Sequence, residues 1–265
     1  MKTSTITGEY IKDMITKSYR EDGRKMFDYR PINLKIGTMP NAEGSAEASI
    51  GQTRVLAGIK IDVAEPMADK PEEGNLMTAA ELLPLASGDY ETGPPGPEAI
   101  ELARVVDRGI RAANVVDMGK LFIEKDKVWS VFVDLYVLNY DGNLFDASSL
   151  AASAALLSSR MPKYEKEGET GKVVRSGNLG KLPTANIVTS CTFGNILHRL
   201  ILDPTANEEL FIDSRLTIAN DEHSIRAVQK GLNGAFSFDE IDEMMDTAFE
   251  KSRELRQIIK KAIGE

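Results

Sequence analysis

SAEASIGQTRVLAGIKIDV, residues 45–63, holds two short runs, SAEASIG at 45–51 and TRVLAGIKIDV at 53–63, that alternate or stay apolar around a glycine break. Side chains two apart share one face of a strand, so each run reads as a strand and the break as a tight turn. PINLKIGTM (31–39) just upstream reads the same way, which makes three consecutive strands. Before them, ITGEYIKDMITKSYR (6–20) places Ile6, Tyr10, Ile11, Met14, Ile15 and Tyr19 at helical spacing, and the Asp22-Gly23 turn signal ends that helix.

Downstream, LPLASGDYETGPPGPE (83–98) carries four prolines and three glycines and no period, so it reads as an exposed irregular loop. A helix carrying ELARVVDRGIR (101–111) starts directly after it. A second cycle follows: a strand at 128–139, the Asp141-Gly142 turn, and a small-residue helix at 147–161. The polar insert 163–180 reads as a loop or loose hairpin, and strands are expected near 185–192, 195–201, 209–218 and 223–230. FDEIDEMMDTAFEKSRELRQIIKKAIG (238–264) closes the chain as a long helix, acidic in its first turns and basic in its last, as the helix dipole favours. The order predicts an α+β architecture of two strand-then-helix halves.

Composition narrows the function classes. The 265 residues, 42% of them hydrophobic, are ample for a real core. With 32 basic against 41 acidic residues and a formal charge of -9, a general electrostatic sheath for nucleic acid is excluded, so any anion site must be local. The single cysteine, Cys191, cannot form an intramolecular disulfide, and the N-terminus has no signal-peptide pattern; the expected compartment is the cytoplasm. VWSVFVDLYVL (128–138) contains Asp134 and is too short to span a bilayer, so no membrane role is expected.

The residues for several chemistries are missing. His198, His223 and Cys191 follow no nucleophile motif and read as packing or surface residues. No zinc-ligand spacing is present. GETGK (168–172) fails the phosphate-loop pattern, because the position that needs glycine is Lys166. Asp203, Glu208, Glu209 and Asp213 fall within eleven residues and have the chemistry of a magnesium site, although a solvated turn is the better reading of them. Neither a metal nor a cofactor is expected.

A local basic feature is the helix at 101–111. At 3.6 residues per turn, Arg104, Arg108 and Arg111 fall within an arc of roughly 60°, with Leu102, Val106 and Ile110 on the opposite side. Guanidinium groups fork onto phosphate oxygens at any working pH, so the strip suits a polyphosphate backbone. The alternatives are a solvated face in which Glu101 pairs with Arg104 or Arg108 and Asp107 with Arg111, or a subunit interface. On geometry alone the solvated, ion-paired face is the favoured reading, with the other two open.

DGR (22–24), RP (30–31), GSAEASIGQTRVLAGIK (44–60), ELARVVDR (101–108) and DLYVLNYDGNLFDA (134–147), in this order, resemble the RNase PH family, most of all the non-catalytic RNase PH-like type of subunit in archaeal RNA exosomes. The resemblance runs from near the N-terminus to the final helix. It implies one RNase PH-like domain over 1–265, built of two βαβα-type halves (ribosomal protein S5 domain 2-like) that meet near 125–185, with the long helix last. It also implies a hexameric ring of three heterodimers with a catalytic RNase PH-like subunit, caps with S1 and KH-type domains, and single-stranded RNA shortened from its 3′ end by phosphate.

Active members carry a phosphate-binding arginine where this chain has Phe145, and an essential aspartate where it has Arg215; Glu209 falls opposite the other acidic residue. The resemblance therefore implies no catalytic residue here. It assigns RNA binding to Arg104 and Arg108, with Arg111 just outside the motif as a weaker helper. The competing reading is an active phosphate-dependent 3′ to 5′ exoribonuclease, which would have to explain Phe145 and Arg215.

Overall fold

The protein was analysed as a computed structural model that describes residues 5–167, 170–177 and 179–264. Helix α1 (Thr5–Thr16) leads into strands β1 (Ile32–Ile36), β2 (Gly44–Ile50), β3 (Thr53–Ala64) and β4 (Asn75–Leu82). Helix α2 (Pro97–Ala112) follows, then β5 (Phe122–Glu124), β6 (Lys127–Asn139) and helix α3 (Leu144–Leu157). Short strands β7 (Arg160–Met161), β8 (Lys163–Glu167), β9 (Thr170–Val174) and β10 (Gly180–Lys181) bridge to the second half. That half is β11 (Thr189–Ile196), β12 (Arg199–Leu202), the one-turn helix α4 (Ala206–Glu209), β13 (Ser214–Asn220), β14 (Ile225–Gly231) and α5 (Phe238–Ile263).

The quoted stretch forms β2 and β3, paired antiparallel from Gly44 opposite Ile59 to Ile50 opposite Thr53. Strand period explains why Ala46, Ala48, Ile50, Val55, Ala57, Ile59 and Ile61 are all fully buried on one face. The first sheet runs β1-β2-β3-β6-β4, with β4 alone parallel to its neighbour and β5 on the end of β6. The second runs β12-β11-β13-β14, all antiparallel. Each half thus reads strands, helix, strands, helix, with α4 reduced to one turn in the second.

Helix α3 lies in the centre and packs on β2 and β3 of one sheet, on β11 of the other, and on α2 and α5. It is buried all round from Phe145 to Leu156, and its alanines and serines let both sheets approach closely. Its start is set by Gly142, at φ 84, where an added Cβ would collide with the backbone of Thr205, and by Asn143, whose side chain accepts from the Asp146 N–H. One continuous apolar cluster joins residues of both sheets to α2, α3 and α5.

Several expected boundaries move. Helix α3 begins at Leu144 and ends at Leu157, not at 147 and 161, because the Asn143 cap lies earlier than the apolar run implied. Helix α1 stops at Thr16. The strands expected at 185–192, 195–201 and 223–230 lie at 189–196, 199–202 and 225–231. The stretch 209–218 splits, because Thr205 and Glu208 form a reciprocal capping box that coils 206–209 before β13 starts at Ser214. The insert 163–180 contains the β8-β9 hairpin, while residues 168 and 169 of the GETGK string lie outside the described residues. Strand β4 was not expected from the sequence: NLMTAAEL is short of β-branched residues, and its pairing with β6 holds it. No helix among the described residues is long and apolar enough to cross a membrane.

Candidate functional site

Helix α2 opens with Gly96 and Pro97 and an acidic Glu98, and ends with a basic Arg111, an order that suits both the fixed φ of proline and the dipole. Its apolar side is buried at Leu102, Val106 and Ile110, and Arg104, Arg108 and Arg111 are exposed, so the two faces fall as the helical period requires. The three arginines line one shallow hollow with Asp107 and Ala112.

Their partners differ. Arg111 donates Nε to Asp107 Oδ2 at 2.6 Å, the expected i,i+4 pair, and Nη2 to the Leu76 carbonyl. Arg108 donates Nη1 to the neutral Gln229 Oε1 of β14 at 2.6 Å. Arg104 makes no hydrogen bond or ion pair among the described residues. The pair expected between Glu101 and Arg104 or Arg108 is not formed. Glu101 Oε1 instead takes Arg215 Nη2 of β13 at 2.6 Å.

The guanidinium carbon of Arg215 also lies 4.3 Å from the centroid of the Phe145 ring, a cation–π stack. Phe145 is only 7% exposed. The two positions at which the resemblance places missing catalytic groups are therefore in contact, joined into one stack that runs from Phe145 through Arg215 to Glu101. The sequence alone does not connect them, because 70 residues of chain separate them and only the fold brings them together.

The acidic group at 203–213 does not form a cation site. Asp203, fully buried, accepts from Arg24 Nη1 at 2.9 Å, Arg30 Nη2 at 2.8 Å and Asn143 Nδ2 at 2.8 Å. Glu208, also buried, is held by Arg20 through Nε at 2.9 Å and Nη2 at 2.5 Å. Glu209 accepts from the Tyr140 hydroxyl at 2.5 Å and the Asn143 N–H at 2.8 Å, and burial pushes its carboxyl upward. Asp213 accepts from the Leu197 N–H in the β11-β12 turn at 3.1 Å. Among the described residues no group of three or more His, Cys, Asp or Glu is placed to hold a metal ion.

Asp146 sits next to this network, accepting from Tyr29, Asn143 and both donors of Thr192. Burial pushes its carboxyl up to about 7, against the pull of those donors. Burial likewise pushes the Cys191 thiol up to about 12, so it is a packing residue rather than a nucleophile. His198 and His223 are at the surface.

Two strand-then-helix cycles around one buried helix, with an arginine face on α2, define an RNase PH-like α+β protein. Comparison with known proteins agrees. The family model for the 3′ exoribonuclease family matches as domain 1 over residues 28–162 and as domain 2 over 186–251. "Exosome complex component Rrp42" of Thermococcus gammatolerans is 46% identical over 261 residues, covering 98% of this chain and 96% of that protein. The protein of the same name from Methanothermobacter thermautotrophicus is 40% identical, covering 97% of this chain and 96% of that one. A chain of the "archaeoglobus fulgidus exosome with RNA bound to the active site" superposes with a TM-score of 0.87 at 37% identity, covering 95% of this chain and 97% of that chain. The chain belongs to the 3′ exoribonuclease family.

Proposed function

We propose that this chain is a non-catalytic subunit of an archaeal RNA exosome, completing a ring with a catalytic RNase PH-like relative and holding single-stranded RNA for it. The carrying observation is the stack of Glu101, Arg215 and Phe145. An aromatic ring has no cationic donors for an attacking phosphate, and a guanidinium cannot serve as the missing carboxylate. Nor is Arg215 free to take the phosphate itself, since Glu101 neutralises it and Phe145 covers one face. In this reading the stacked positions carry no catalytic group, while the neighbouring helix keeps two cations that form no ion pair among the described residues.

In this reading Arg104 and Arg108 grip RNA phosphates beside the partner's active site, and Arg111, committed to Asp107, contributes less. The relatives' shared name, exosome complex component, supports the assembly, and the Archaeoglobus exosome to which the superposed chain belongs, described with RNA bound to the active site, supports the ligand. The assembly we propose contains three heterodimers and carries S1/KH-domain caps. It works in the cytoplasm, and residues 1–265 act as a single domain whose halves meet within 125–185.

The test is phosphorolysis. Purified chain, phosphate and end-labelled RNA should give no nucleoside diphosphate, and addition of the catalytic relative should start processive 3′ shortening. Robust release by the chain alone would establish the active exoribonuclease instead.

A further inference from the structure

We infer that Arg215 is a positioning residue for the arginine face of α2: it holds Glu101 away from Arg104 and Arg108, leaving both cations free for RNA phosphates. The inference rests on the proposed RNA-contacting role of those two arginines.

On a helical wheel Glu101 stands about 20° from Arg108 and about 60° from Arg104, on the same side of α2. It precedes Arg104 by three residues, a spacing at which side chains meet and ion pairs form. Farther along the same helix, the comparable pair does form, Asp107 to Arg111 at 2.6 Å. Glu101 has the spacing to neutralise Arg104 in the same way, and it is turned to Arg215 instead.

Arg215 is built to hold it. Its guanidinium rests on the Phe145 ring. Across the ladder it faces Gly231, where an added Cβ would stand 2.7 Å from Nη2, so the glycine lets the guanidinium lie close against β14. The Arg215 side chain is 17% exposed and that of Glu101 39% exposed, so the cation is the fixed partner and the carboxylate the one drawn over. Gln229, two residues before Gly231 on the same face of β14, steadies Arg108 with a neutral acceptor. One edge of the second sheet thus orders the arginine face without neutralising it.

The test uses the ring assembled with the catalytic relative, a labelled oligoadenylate and binding at low salt. Arg215→Leu keeps the apolar contact with Phe145 but frees Glu101; affinity should fall about two- to fourfold, the range of one regained ion pair plus one unpaired carboxylate near phosphate. Glu101→Gln in that background should restore it, and Glu101→Gln alone should leave affinity at the parent level or above. A merely structural salt bridge predicts the reverse: loss in Glu101→Gln alone and no rescue. That result overturns the inference. Because Glu101→Gln is isosteric at a half-exposed position, it gives the answer even if Arg215→Leu does not fold. Arg104→Ala with Arg108→Ala is the control: if it binds RNA as the parent does, the RNA-contacting reading itself falls, whereas loss there with no effect at Arg215 sinks only the positioning role.

Discussion

Arginine has two opposite fates in this molecule. Arg20, Arg24 and Arg30 lie inside, or nearly so, and are consumed by Asp203 and Glu208, with Arg20 only 2% and Arg30 5% exposed. Arg104 and Arg108 lie outside and form no ion pair among the described residues. The first group ties the segment before β1 to the β12-α4 corner and to the start of α3. The second is left with its charge unspent. A chain of net charge -9 can therefore present a local anion site, because its acidic residues are placed to neutralise arginines selectively.

The strongest way to break the inner network is Asp203→Ala, which removes the buried carboxylate shared by Arg24 and Arg30 and leaves them only Asp22 and Asp141, both nearer the surface. Losing one partner of a buried pair costs about 3–5 kcal/mol, so chemical denaturation should show a drop of that order. Little change would mean that water reaches the site and the network is not structural.

Breaking the outer group should act on binding and not on folding. Arg104→Glu with Arg108→Glu should lower the RNA affinity of the assembled ring about tenfold or more, with its gel-filtration position unchanged. Phe145→Arg, which supplies the arginine that the resemblance implies for active members, should leave the chain inactive, because on the same resemblance Arg215 replaces the carboxylate, and a second guanidinium would now face it. A phosphorolysis assay on the purified variant checks it. Arg111→Ala should change RNA affinity less than twofold, since Asp107 already holds that charge, and should cost no more than about 0.5 kcal/mol of stability in a thermal melt.

A pH dependence belongs to the buried side of the comparison. Asp146 has its folded value raised to about 7 by burial, so the fold favours the protonated form. Its contribution is complete below about pH 4, the range of an unperturbed carboxyl, and is lost as pH rises through about 7. The melting temperature of the parent relative to Asp146→Asn should therefore decline between pH 5 and pH 8.

Much of the fold was legible from period alone. Strands β2, β3 and β6, helix α1 and the two α2 faces follow from spacing two and spacing 3.6, and burial at Val55, Ala57, Ile59 and Ile61 bears this out. Strand β4 was not, because it owes its conformation to a parallel neighbour rather than to its own residues. The turn of α4 could have been read from Thr205 and Glu208, whose spacing is that of a capping box. At the site, the exposure of the arginines was legible, but their partners were not. Glu101 looked like a helix-surface partner, and only the approach of β13 from far along the chain shows that Arg215 takes it. The contact between Phe145 and Arg215 was hidden for the same reason.

The most direct test of the central claim is the salt dependence of RNA binding by the assembled ring, with and without Arg104→Ala plus Arg108→Ala. Each phosphate contact to a single strand contributes about 0.7 to the slope of log affinity against log salt, so loss of both should flatten it by about 1.4. A flattening of that size is the predicted result. An unchanged slope, with unchanged affinity, would show that the cations of α2 never meet the RNA and would contradict the account.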